Sequence, residues 1–120
     1  MAAKKTKQAE QPAEHDIPEN PGKGRKMRRI ELIFSQAMEE DFIQSFHLKQ
    51  IKNYTEFPEV RGTGYSTPKL GSDIWPQLNA MMILYCTDEE TETVKAIVTD
   101  LRRRYVGEGI ACYISKAREW

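Results

Sequence analysis

The sequence predicts an α+β sandwich, on three observations. Apolar residues recur with period two and period 3.6 in alternation, in the order β-α-β-β-α-β along residues 28–116. That order is the split form of a ferredoxin-like sandwich, an antiparallel four-stranded sheet with two helices on one face. Two of the strand segments are apolar on both faces, more than two helices can cover, so a further surface must pack on the sheet.

Taken in order, residues 1–27 contain almost no large apolar side chain, with lysines first and Pro and Gly later. Such a segment cannot bury enough surface to offset its ordering entropy and reads as a disordered tail. It has no apolar stretch for a secretory signal or membrane anchor. Glu10, Glu14, Asp16 and Glu19 disfavour an organelle presequence. A domain follows over 28–117, with 118–120 as its end. RRIELIFS (28–35) is the first strand: Ile30, Leu32 and Phe34 share one face, Glu31 and Ile33 the other.

QAMEEDFIQSFHLKQ (36–50) is helical. Ser35 is placed to cap it, Glu39, Glu40 and Asp41 suit its positive N-terminal end, and Met38, Phe42, Phe46 and Ile43 form its apolar stripe. NYTEFPEVRGTG (53–64) has strand composition, and Pro58, which lacks a backbone donor, argues for an edge strand or a bulge. AMMILYC (80–86) is apolar on both faces. Thr87 and Glu90 have capping-box spacing, and the helix they start places Val94, Ile97, Val98, Leu101 and Tyr105 on one stripe before a stop at Gly107. GIACYISK (109–116) is the last strand. Met81, Ile83, Tyr85, Ala111 and Tyr113 make the second sheet face apolar, so the face is expected to pack on other copies of the chain.

Composition narrows the function. The 120 residues carry 18 basic and 18 acidic side chains. Through Arg28 the count is seven basic and four acidic, or +3, and from Arg29 onward it is eleven and fourteen, or −3. A basic tail on an acidic body can touch nucleic acid or anionic lipid; a solubilising role is the simpler reading. Cys86 and Cys112 lie inside apolar runs, as buried free thiols of a reducing cytoplasm do, and no second ligand is spaced for zinc. Only His15 and His47 are present, so neither Ser66 nor a cysteine has a recognisable catalytic base. The acids at 39–41 and 88–90 and the arginines at 102–104 sit where helix dipoles favour them. An anion- or partner-binding role for the arginines is the alternative. Nothing here points to an enzyme.

RGTGYSTPKLGSDIWP (61–76) matches neither a P-loop nor a dinucleotide fingerprint. Its glycines leave main-chain N–H groups accessible. Thr67 and Trp75, each before a proline, are extended. At roughly fifteen residues it is long for a link between strands, and long loops are more often functional than short ones.

With E-V-R-G-T-G (59–64) opening a long inter-strand loop and G-E-G-I (107–110) before the last strand, the chain resembles the PII-like signalling proteins over about residues 28–117. The resemblance implies a homotrimer with sheets facing inward. It also implies adenine nucleotides (ATP, ADP or AMP) in clefts between subunits, and a mobile T-loop that docks on a transporter, enzyme or regulator. The T-loop would be residues 62–79. Carried over, Gly62 and Gly64 stand at the T-loop base, and Gly107 and Gly109, with Glu108 between them, form the glycine-bearing turn before the last strand. Where the family has Arg-Gln after the second T-loop glycine, Tyr65 and Ser66 stand here, and Ile110 replaces a lysine. Lys69 and Arg61 are the loop cations able to replace the lost charge. These departures point to a divergent member, whose signal is a nucleotide, a small anion or a metal ion. Two alternatives share the element order: a metal-linked PII-like protein of cation-efflux systems, and an RNA-binding sheet using Phe34 and Tyr85. The first lacks a cluster of soft ligands, and the acidic body argues against the second.

Overall fold

The structure is a computed structural model in which residues 24–63 and 78–120 are described. Four strands and two helices follow one another as β1 (Arg25–Ser35), α1 (Glu39–Leu48), β2 (Thr55–Val60), β3 (Asn79–Cys86), α2 (Asp88–Arg104) and β4 (Ile110–Glu119). The sheet is antiparallel throughout, in the order β2-β3-β1-β4. This is the α+β, ferredoxin-like arrangement expected from the apolar periodicities.

β1 starts at Arg25, earlier than its apolar alternation, and β4 continues to Glu119. Arg25, Lys26 and Met27 pair with Glu119, Arg118 and Ala117 in a two-stranded ribbon beyond the reach of β3. Backbone pairing needs no apolar side chain there, and an ion pair joins Arg25 to Glu119. Gly24 stands at the ribbon's end with a φ of +79°, where a Cβ would lie 2.6 Å from the Glu119 carbonyl oxygen. The rest of the predicted tail, residues 1–23, lies outside the described residues.

Ser35 caps a 3₁₀ turn at Gln36–Met38 rather than α1 itself, its Oγ accepting from Ala37 N–H at 3.4 Å. The Gln36 N–H donates to the Leu78 carbonyl at 3.0 Å, which holds this turn against the chain entering β3 and delays α1 to Glu39. α1 ends in a Schellman-type closure: Ile51 N–H donates to Phe46 C=O at 2.8 Å and Gln50 N–H to His47 C=O at 3.2 Å. Gln50 adopts a φ of 63° to do so. α2 starts with the full capping box, Thr87 N–H to Glu90 Oε1 at 2.9 Å and Glu90 N–H to Thr87 Oγ1 at 3.2 Å.

Both helices lie on one face. Ile30, Leu32 and Phe34 of β1 and Ala80, Met82 and Leu84 of β3 bury against Phe42 and Phe46 of α1 and Val94, Val98 and Leu101 of α2. Cys86 belongs to this core, and desolvation pushes its thiol up to about 11; Cys112 is raised for the same first reason. Both are free thiols. No helix among the described residues is long and apolar enough to cross a membrane.

The other face is open. One row crosses all four strands as Phe57, Met81, Ile33 and Ala111, and the next as Thr55, Ile83, Glu31 and Tyr113. Phe57, Tyr85 and Tyr113 are 45%, 52% and 61% exposed. Arg29 interrupts the apolar area, its guanidinium donating to Glu31 at 3.1 Å.

Gln50→Gly should raise unfolding stability by about 1 kcal/mol in a denaturant titration, because the left-handed backbone costs a side-chain-bearing residue roughly that much.

Candidate functional site

Two short segments carry the described part of the site expected from sequence. The first is the chain leaving β2. β2 is an edge strand, and its register with β3 breaks between Phe57 and Val60, where Pro58 cannot donate to the ladder. Val60 resumes pairing opposite Asn79, so Arg61, Gly62 and Thr63 lie beside the start of β3. Arg61 is exposed and Gly62 half-buried. Gly62 has no positive φ, and among the described residues a Cβ there would meet only Asn79 Nδ2, at 3.6 Å. The described part of the fold therefore does not itself demand glycine at this position. Gly64, Tyr65, Ser66 and Lys69 lie outside the described residues.

The second segment is the turn from α2 to β4. Tyr105 N–H closes the helix on Leu101 C=O at 2.9 Å, and Glu108 N–H donates to Tyr105 C=O at 3.1 Å. Gly107 reverses the chain with a φ of +97°, accessible to glycine but costly for other residues. Among the described residues no atom stands within 4 Å of where its Cβ would be, so its backbone conformation is what favours glycine here. Gly107, Glu108 and Gly109 are all exposed.

Two contacts fix this turn. Arg102 reaches from the last turn of α2 and donates to the Ile110 carbonyl through Nη2 at 2.7 Å and Nε at 3.3 Å. Tyr105 Oη donates to Asp41 Oδ1 at 2.9 Å, tying the end of α2 to the first turn of α1. That bond, with burial second, raises the phenol above its ordinary pKa. Arg104 pairs with Asp100 at 3.2 Å and lies over the Tyr105 ring, 5.8 Å from its centroid. The arginine run thus divides: Arg102 shapes the turn, Arg104 pairs within its helix, and Arg103 is exposed. The sequence reading missed Arg102's role, because a side chain bonding a carbonyl eight residues on leaves no periodic signal.

The two segments lie at the same end of the sheet but at opposite edges. Val60 and Asn79 are partners, Asn79 pairs with Ser35, and the adjacent Phe34 pairs with Ile110. Between the β2 and β4 edges are three strand spacings of about 4.8 Å, or roughly 14 Å. The width of the sheet's end separates the segments.

The aromatic pair expected of an RNA-binding sheet is split. Tyr85 is on the open face, whereas Phe34 stacks on Phe42 in the core at 4.3 Å between centroids. Among the described residues, no three His, Cys, Asp or Glu side chains cluster as a metal site would require.

No protein-family model and no curated protein sequence matches the chain. Solved structures do. CPII of Thiomonas intermedia, a nitrogen regulatory PII-like protein solved with ADP, AMP and bicarbonate, superposes with a TM-score of 0.60. The match has 14% identity and covers 78% of this chain and 90% of that one. Its apo form gives a TM-score of 0.52 at 13% identity, over 77% and 91% of the two chains. A protein of Thermus thermophilus described as PII-like gives 0.54 at 17% identity, over 77% and 87%. The chain therefore has the fold of the PII-like signalling proteins. The resemblance first met in EVRGTG and GEGI extends to three dimensions.

Arg102→Ala should cost about 1 kcal/mol in a denaturant titration, since the Ile110 carbonyl loses its charged donor. Amide exchange at 105–109 should quicken while that of β1 stays unchanged.

Proposed function

We propose that this protein is a non-enzymatic, PII-like signal-transduction protein of the cytoplasm. Three copies pack their open sheet faces together. An adenine nucleotide (ATP, ADP or AMP) or a related anion binds in each cleft between neighbours. One wall of a cleft is Arg61 and Gly62 with Gly64, Tyr65, Ser66 and Lys69; the other is Gly107, Glu108 and Gly109 of the next copy. Occupancy shifts the 62–79 loop, which regulates a transporter, enzyme or other regulator.

The observation that carries the reading is the placement of the two glycine segments, at one end of the sheet on opposite outer edges. Setting the β2 edge of one copy beside the β4 edge of the next brings them together without any change within the chain. The open face supports the assembly: Phe57, Met81, Ile33 and Ala111 form a continuous apolar row, with Tyr85 and Tyr113 exposed nearby. Gly62 supports the cleft. Among the described residues neither its φ nor its packing needs glycine, and glycine suits close approach by a ligand. The ADP and AMP bound by CPII, which shares the fold, make adenine nucleotides the first ligands to try.

Light scattering on the eluting protein should give three times the chain mass, and Ile33→Lys should reduce it to the monomer mass by placing a charge in the apolar row. ADP or AMP at about a hundred times its dissociation constant should add roughly 2.7 kcal/mol of stability, read as a rise in Tm of several degrees. Gly64→Val or Gly109→Val should abolish that rise without changing the mass. A monomer in dilute solution, or a Tm unmoved by every nucleotide, contradicts the corresponding half of the reading.

A further inference from the structure

The charge of the body is segregated rather than spread. Residues 25–29 and 115–119 hold six basic side chains and one acidic, or +5, although the count from Arg29 onward is −3. These residues pair with one another as the start of β1 and the end of β4. They lie at the opposite end of the sheet from the glycine segments, which stand beside Ser35 and Phe34. Strand alternation sorts the cations. Lys26 and Arg28 continue the row of Ile30, Leu32 and Phe34, so they lie on the helix side. Lys26 faces Arg118 and Arg28 faces Lys116, two successive like-charge pairs on that side. Like charges directly opposite, with Cβ atoms about 5 Å apart, destabilise a sheet.

The chain itself relieves little of this repulsion. Arg28 donates to the exposed Asp88 at 3.1 Å. Lys26, Lys116 and Arg118 are exposed and form no ion pair among the described residues. Glu119, the one acid of the ribbon, lies on the other face and pairs with Arg25. Trp120 stands two residues beyond Arg118 and is 89% exposed, with its Cε3 3.3 Å from where a Cβ of Gly24 would lie. A large aromatic side chain thus sits in solvent at the tip of a basic ribbon.

We propose that this face of the β1–β4 ribbon binds single-stranded nucleic acid, with Lys26, Arg28, Lys116 and Arg118 on the phosphates and Trp120 stacked on a base. Cations at every second residue of a strand repeat at about 6.6 Å, close to the separation of successive phosphates along a nucleic-acid strand. A polyanion neutralises both like-charge pairs at once and gains by releasing its own counterions. The exposed indole supplies the stacking platform that single-strand sites use. A membrane surface fits less well, because it needs an apolar area to insert. Beside these cations the described residues offer only Trp120 and the half-exposed Ile114. The helix side also turns outward when open sheet faces pack together, so assembly leaves the ribbon accessible.

The test uses the full chain and a short labelled oligouridylate, which carries no adenine and so avoids the proposed cleft. Fluorescence anisotropy should show binding that weakens with salt, with a log–log slope of about −3 for four phosphate contacts on a single strand. Indole fluorescence should be quenched on binding. Trp120→Ala should weaken binding about tenfold. The double variant Lys116→Glu with Arg118→Glu should weaken it by about tenfold or more and flatten the salt slope. That variant should keep its Tm, because each new carboxylate faces a cation across the ribbon. Should it nevertheless fail to fold, Trp120→Ala decides. No binding at low ionic strength overturns the proposal. So does binding unchanged in the double variant, which would place the contact elsewhere, including the lysines of residues 1–23. A duplex of the same length bound as tightly as the single strand overturns it too, as does ribbon-dependent binding to phosphatidylserine vesicles without binding to the oligouridylate.

Discussion

The packing of Phe34 on Phe42 sets the frame for most of what surrounds it. The two rings lie 4.3 Å apart, and the series continues from Phe42 to Phe46 at 5.9 Å and from Phe46 to Tyr54 at 5.5 Å. These four rings lie on β1, α1 and the chain entering β2, so one apolar contact series fixes α1 over the sheet and aims β2 along its edge. Aromatic rings combine large buried area with few rotamers, which makes such a series stiff. One consequence at the first turn of α1 follows: Asp41 is held where Tyr105 reaches it, which anchors the far end of α2.

The sheet imposes a second constraint. β1 and β3 are central strands with apolar side chains on both faces, but the two helices cover one face only. The uncovered face carries the row from Phe57 to Ala111 and, beside it, the Arg29–Glu31 pair. A domain of this size has no further element among its described residues to lay over that area. The same topology puts the two glycine-bearing segments on opposite edges. Assembly through the open face and a site shared between copies are thus one geometric proposition, and neither requires a change within the chain.

Much of the fold was legible because periodicity survives tertiary context. Ile30, Leu32 and Phe34 are buried as their alternation implies, and the capping box at Thr87 and Glu90 forms as spaced. Pro58 marked an edge strand, and the ladder breaks beside it. What escaped were features set by contacts distant in sequence. β1 extends to Arg25 because β4 pairs with it, although Arg25 and Lys26 give no apolar signal. Ser35 caps a 3₁₀ turn because Gln36 is held by Leu78, far along the chain. In the site, Gly107 was readable as a helix stop, but Arg102, which pins the same turn, looked like an ordinary dipole-favoured cation.

By itself, the sequence determined the element order, the helix-facing core, the two-sidedness of the sheet and the position of the two glycine segments. These depend on local pattern and on the amount of apolar surface, both properties of the chain before it folds. Only the tertiary structure decided that the segments lie at opposite edges of the sheet, that Arg102 closes the turn, and that Tyr105 reaches Asp41. Hydrogen bonds act over about 3 Å. Asp41 and Tyr105, 64 positions apart on the two helices, come within that distance only after the core has fixed one helix against the other.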